Sequence, residues 1–241
     1  VYERPRFDAG GALTGELSTA GGPVDVEGGW YDAGDFLKFT HTTAYALTAM
    51  LIAQRDATGG LAGLAAETRH GVDWLDRMWD GESRTLYTQV GIGSGLSTAG
   101  RTFLGDHDTW RLPEDDDRLD VQPGAERYYQ RYRPVFRAAV PGERISPNLA
   151  GRVAAAFALA AQVEAATEPD RARRHLAAAA EVFALAETED AGELVTAEPR
   201  NYYPEDSWTD DLAAGATELT LAGRLLADPR APGWLAQATR W

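Results

Sequence analysis

The chain has 241 residues, 44% hydrophobic and 25% charged, with no cysteine. That is enough for one or two domains with a sizeable core, and it excludes disulfides, thiolate metal sites and a cysteine nucleophile. A net charge of −14 leaves no basic face for a phosphate backbone and argues against a nucleic-acid partner. No apolar run is long enough to span a bilayer. Val1 does not open a secretory signal, so the compartment cannot be read from the N-terminus.

Residues 1–39 are rich in Gly, Pro and Asp and read as irregular chain with short extended pieces. From Thr40 to about Ala57, apolar residues recur at helical steps (Ala44, Leu47, Leu51), and Thr58-Gly59-Gly60 ends the run. A second helix fits Leu64 to Trp79, with Val72, Leu75 and Trp79 on one face, and Thr85 to Val90 alternates like a short strand. A long connection from Gly91 to Ile145 carries the acidic run Glu114 to Asp117; such a stretch is more often functional or disordered than idle. Ser146-Pro147 opens an alanine-rich helix to about Ala166, with serine as N-cap. Further helices fit Glu168 to Ala186, Thr209 to Ala227, and a start at Pro232. The pattern is one of helical hairpins from about residue 40, with no phosphate loop and no βαβ alternation.

The segment Gly28-Gly29-Trp30-Tyr31-Asp32-Ala33-Gly34-Asp35-Phe36 carries the most chemistry. Two carboxylates on a glycine-containing turn can grip one water from two sides. Trp30 and Tyr31 beside them offer faces on which a pyranose ring can stack. Inverting hydrolysis of a glycosidic bond needs a carboxylate to activate water and a second acid to protonate the leaving oxygen. The competing reading is an Asx turn, in which both Asp side chains only cap local backbone.

This segment, followed by Lys38-Phe39 and a helix, resembles the signature of glycoside hydrolase family 9. The resemblance implies that Asp35 is the general base and that Asp32 helps hold the attacking water. Gly105-Asp106-His107-Asp108-Thr109-Trp110, followed by Pro113-Glu114-Asp115, resembles a family loop whose His and Trp line sugar subsites. His107 and Trp110 are therefore substrate-binding candidates, where a lone His or Trp would more often only pack. Tyr202 to Leu212 resembles a further loop that opens a helix with an acidic pair. Tyr202 there matches a sugar-contacting aromatic. Asp206, Asp210 and Asp211 match a region where several members hold calcium, and helix capping is the alternative.

The family fold is an all-α (α/α)6 barrel, and the motifs correspond to about the N-terminal half of one catalytic domain. Residues 1–241 are expected to be that part, completed by a C-terminal half absent from this sequence. The family's general acid is a Glu far downstream; Glu193, Glu198, Glu205 and Glu218 all lack its context. The implied activity is inverting hydrolysis of β-1,4 bonds in cellulose or a related β-glucan. No cofactor is required, a structural calcium at Asp206, Asp210 and Asp211 being the one metal the resemblance suggests, and this chain alone is expected to be inactive. The alternative is a non-catalytic or degenerate carbohydrate-binding protein of the same fold. A histidine-based sugar epimerase is disfavoured, because the four His fall in no such arrangement. Secretion follows only from the resemblance, since a polymeric glucan cannot enter a cell.

Overall fold

The computed structural model describes residues 1–11, 13–57, 59, 61–98 and 100–241. It opens with β1 (Lys38–Phe39), α1 (Thr40–Asp56) and α2 (Leu64–Arg77), then β2 (Trp79–Asp80) and β3 (Thr85–Val90). Between the helical parts come β4 (Leu96–Thr98), β5 (Arg101–Phe103), the short α3 (Pro113–Asp117) and α4 (Tyr128–Arg131), and β6 (Val135–Arg137). Four more helices complete it: α5 (Pro147–Glu164), α6 (Pro169–Ala184), α7 (Thr209–Leu225) and α8 (Ala231–Ala238).

Among the described residues the long helices form three hairpins, α1 with α2, α5 with α6, and α7 with α8. Helix α5 packs against α1, α6 and α7, and its stretch Val153–Ala161 is buried throughout. Alanine suits that position because it loses no side-chain entropy in a helix and lets neighbours come close. Approach is tightest where α5 crosses α7: a Cβ on Gly151 would sit 2.5 Å from the Asp211 backbone, and one on Gly215 2.7 Å from the Gly151 carbonyl. The apolar faces read from the sequence are buried, with Ala44, Leu47, Leu51, Val72 and Leu75 all 2% exposed or less.

Strand β3 is the hub of a small antiparallel sheet. It pairs with β1 (Lys38↔Val90), β2 (Trp79↔Leu86) and β6 (Gln89↔Phe136), and all six of its residues are buried. The strand draws in the end of the second hairpin helix, so α2 stops at Arg77 and Trp79 belongs to β2, not to the helix. The Gly91–Ile145 connection is folded; it supplies β4 to β6 and two short helices. Of the stop signal Thr58-Gly59-Gly60, residues 58 and 60 lie outside the described residues.

Ser146 stands at the N-cap of α5, but its side chain makes no cap bond. The hydroxyl instead donates to Asn148 Oδ1 (2.6 Å) and accepts from the Val195 amide (3.0 Å), joining α5 to the segment that leads into the site.

Candidate active site

Three segments converge at the far end of β3. The first, 32–37, turns tightly: the Gly34 and Asp35 amides both donate to the Asp32 carbonyl (2.5 and 3.2 Å), and Gly34 adopts φ +85°, which favours glycine. Behind this turn, the buried Lys38 ammonium donates to the carbonyls of Val26 (2.9 Å) and Gly28 (2.6 Å). Burial pushes its pKa down to about 8. Lys38 thereby fastens the glycine-rich approach to the carboxylate pair.

The second segment hangs from the backbone that continues β3. The Asp106 and His107 amides donate to the carbonyls of Ile92 (2.7 Å) and Gly93 (2.9 Å). A Cβ on Gly105 would lie 2.1 Å from the Gly93 carbonyl oxygen, so this seam requires glycine. The first two segments are stitched together where the Phe36 amide donates to Asp106 Oδ2 (2.8 Å). Arg111 locks the loop from inside. Its guanidinium donates to both oxygens of the fully buried Asp116, to Asp106 Oδ1 and to the carbonyls of Asp106 and Thr109, and it stacks on Phe36. The third segment, 198–204, is clamped to β3 by the buried Gln89 amide, which accepts from the Glu198 N–H (2.8 Å) and donates to the Glu198 carbonyl (3.0 Å).

These attachments bring Asp35, His107 and Tyr202 together. Asp35 Oδ1 accepts from the Leu37 amide (2.9 Å) and Oδ2 pairs with His107 Nε2 (2.8 Å). The Tyr202 hydroxyl lies 3.4 Å from His107 Nδ1. The Asx-turn reading thus accounts for one oxygen of Asp35 and leaves the other to His107. Asp32 takes no local backbone cap through its side chain; its Oδ2 accepts from the Tyr203 hydroxyl (2.5 Å). Trp110 is 92% exposed beside a pocket of about 360 Å³ that Asp35, Phe36 and His107 help to line. Tyr31 is also exposed, its ring set against Phe36.

Trp30 is placed differently from the stacking role expected of it. Its ring wedges against Gly71, where a Cβ would meet it at 2.3 Å, and its indole N–H donates to Glu67 Oε1 (2.6 Å). It anchors the loop to α2, and the nearby glycine in the helix was the signal for that. Sequence reasoning also missed Tyr203 and Arg111.

A model of glycosyl hydrolase family 9 matches residues 3–239. The chain belongs to that family. Endoglucanase 17 of Oryza sativa subsp. japonica is 31% identical over 228 residues, 92% of this family 9 chain and 40% of that protein. Among solved structures, the catalytic domain of Clostridium thermocellum CelT superposes with a TM-score of 0.68 at 25% identity, covering 91% of this chain and 41% of that one. The cellulase Cel9M of C. cellulolyticum gives 0.61 at 26% identity, covering 88% and 45%. The chain thus spans less than half the length of these relatives, and its three hairpins are about half of the family's (α/α)6 barrel.

The four candidate glutamates for the acid are engaged elsewhere in this family 9 chain. Glu193 pairs with Arg200, Glu198 is buried against Arg4, Glu205 pairs with Arg152 and His41, and Glu218 pairs with Arg55. Nor do the proposed calcium ligands converge. The one cluster of three acidic or His ligand atoms among the described residues is Asp35, Asp106 and His107, with Asp106 already committed to Arg111 and the Phe36 amide. Asp210 accepts from Ser207 (2.9 Å), and Asp211 Oδ1 accepts from Arg152 Nε (2.7 Å), whose fixed charge repels a divalent ion. Asp211 Oδ2 is buried without a hydrogen-bond partner among the described residues, and burial pushes this carboxyl up to about 6. Among the described residues, the side chains of Asp206, Asp210 and Asp211 form no calcium cluster. Thermal unfolding in excess calcium and in EDTA should therefore superimpose. A site held at a hundred times its dissociation constant would add about 2.7 kcal/mol, and a matching rise in Tm would overturn this assignment.

Proposed function

We propose that the protein carrying this chain hydrolyses β-1,4-glycosidic bonds of cellulose or a related β-glucan with inversion, Asp35 acting as general base on a water shared with Asp32. The Asp35–His107–Tyr202 grouping beside an exposed Trp110 carries this reading, together with family membership. Asp35 is only partly buried, so it stays open to water while the Leu37 amide and His107 fix its plane. Proton abstraction places negative charge nowhere new, because the carboxylate is neutralised as the water attacks the anomeric carbon. The leaving oxygen needs a second acid on the opposite side of the bond, about 6.5–9.5 Å from the base. Glu193, Glu198, Glu205 and Glu218 each pair with an arginine and stand in no family motif, so we assign that acid to the remainder of the catalytic domain, the C-terminal half of the barrel. This chain alone is then without appreciable activity. Extracellular action fits a polymeric substrate.

The decisive experiment follows product anomers by NMR as the full-length protein acts on a soluble β-1,4-glucan. Inversion yields the α-anomer first, followed by mutarotation. Initial β-anomer would overturn the mechanism. No product from cellulosic or mixed-linkage glucans, with binding retained, would establish the carbohydrate-binding alternative.

A further inference from the structure

Tyr202 and Tyr203 are neighbours in sequence, yet the structure sends them to different carboxylates. Tyr202 turns toward His107 and Gly93, where a Cβ would lie 2.1 Å from its hydroxyl oxygen. Tyr203 crosses to the other side and donates to Asp32 Oδ2 across 171 positions of chain.

The Tyr203 ring has little freedom to do anything else. It meets Phe39, itself 1% exposed, edge to face at 5.7 Å, and its own carbonyl accepts a short hydrogen bond from the Thr196 hydroxyl. Phe39 is pinned by β1 pairing to Gln89, the same residue whose side chain clamps the 198–204 segment. Strand β3 therefore positions the Tyr203 end of the bond, and the Asp32 amide, which donates to the Leu37 carbonyl beside β1 (2.9 Å), fixes the other. The bond is set before substrate arrives, so no reorganisation is needed at the moment of reaction.

We infer that Tyr203 is a positioning residue for hydrolysis: by holding Asp32 Oδ2, it aims Asp32 Oδ1 at the water that Asp35 deprotonates. No hydrogen bond to Asp32 Oδ1 is made by the described residues, so that oxygen is available to the water. The phenol serves as a fixed donor and not as a base, because burial and the Asp32 carboxylate together push it up to about 12. This inference rests on the proposed hydrolase reading and adds to it a residue that touches neither sugar nor water.

The test is a double-mutant cycle in the full-length protein, Tyr203→Phe and Asp32→Asn, singly and together. Phenylalanine keeps the Phe39 contact, and unchanged circular dichroism and Tm would show that the fold is kept. Tyr203→Phe should lower kcat about tenfold or more, since a hydrogen bond to a charged group is of that order, and should leave KM within about twofold, because the hydroxyl meets no sugar. Adding it to Asp32→Asn should cost nothing further, as expected for residues acting as a unit. Losses that multiply, a change confined to KM, or an active Tyr203→Phe enzyme beside an impaired Asp32→Asn enzyme would each overturn the inference and leave the hydrolase reading standing. A wild-type protein inactive on every glucan would overturn both.

Discussion

Asp35→Asn in the full-length protein should lower kcat by about 10²–10⁴-fold, the usual contribution of general acid–base catalysis, with circular dichroism and Tm unchanged. The substitution preserves shape: the amide oxygen can still accept from the Leu37 N–H, which holds the turn at 2.9 Å in the native chain. It removes the ability to take a proton from water and turns the atom facing His107 Nε2 from an acceptor into a donor. The comparison with Asp32→Asn assigns the roles within the pair. Asp32 is anchored by Tyr203 and Asp35 by His107, so the larger loss should fall on Asp35. An Asp35→Asn enzyme that keeps its rate would move the base elsewhere and sink the mechanism.

Arg111→Met should be the most destabilising single change near the site. The guanidinium makes five hydrogen bonds, and its side chain is 6% exposed, between an Asp106 that is 8% exposed and an Asp116 that is fully buried. Methionine keeps the apolar stem and deletes the charge, together with the guanidinium that lies over Phe36. Two buried carboxylates then lose their principal partner, at a cost of about 3–5 kcal/mol. Arg127 and Arg133, each 3.5 Å from Asp116, recover only part of it. Catalysis should fall as well. Asp106 holds the Phe36 amide next to Asp35, and a displacement of about 1 Å in such a constellation can cost about 10²-fold. Thermal denaturation and kcat, measured on the same preparation, test both halves of this expectation. Arg111→Lys should not rescue, because an ammonium cannot bridge two carboxylates and two carbonyls in one plane. A variant that melts and turns over like the native protein would show that the loop is held by something else.

The helices were legible because their information is local. Three- and four-residue apolar spacing around Leu47 and Leu75, the alanine-rich run after Ser146, and Pro147 and Pro169 at first turns placed each helix to within two residues at most ends. Trp79 was misplaced because it keeps the apolar helix spacing of Val72 and Leu75, yet the turn at 81–84 folds the chain into a hairpin that pairs Trp79 with Leu86 of β3. The site divides the same way. Asp32, Asp35 and His107 stood out through motif resemblance, and the structure brings the last two into contact. Trp30 went astray because an aromatic beside a carboxylate pair suggests a sugar platform, whereas Gly71, far along the chain, had opened a slot for it in α2. Tyr203 and Arg111 were invisible because each acts on a carboxylate whose identity only the folded chain reveals.

The 105–117 segment has a division of labour with a consequence for how this protein can change. It is attached through backbone atoms of Ile92, Gly93 and Phe36, and closed on itself through the buried Arg111. The side chains it presents outward, Trp110 at 92% exposure and Leu112 at 56%, take no part in either task. The atoms that hold the loop and the side chains it exposes are thus separate sets. Natural drift or directed evolution can therefore rewrite Trp110 and Leu112, and under the proposed function the glycan preference with them, while Asp35 and His107 stay in register.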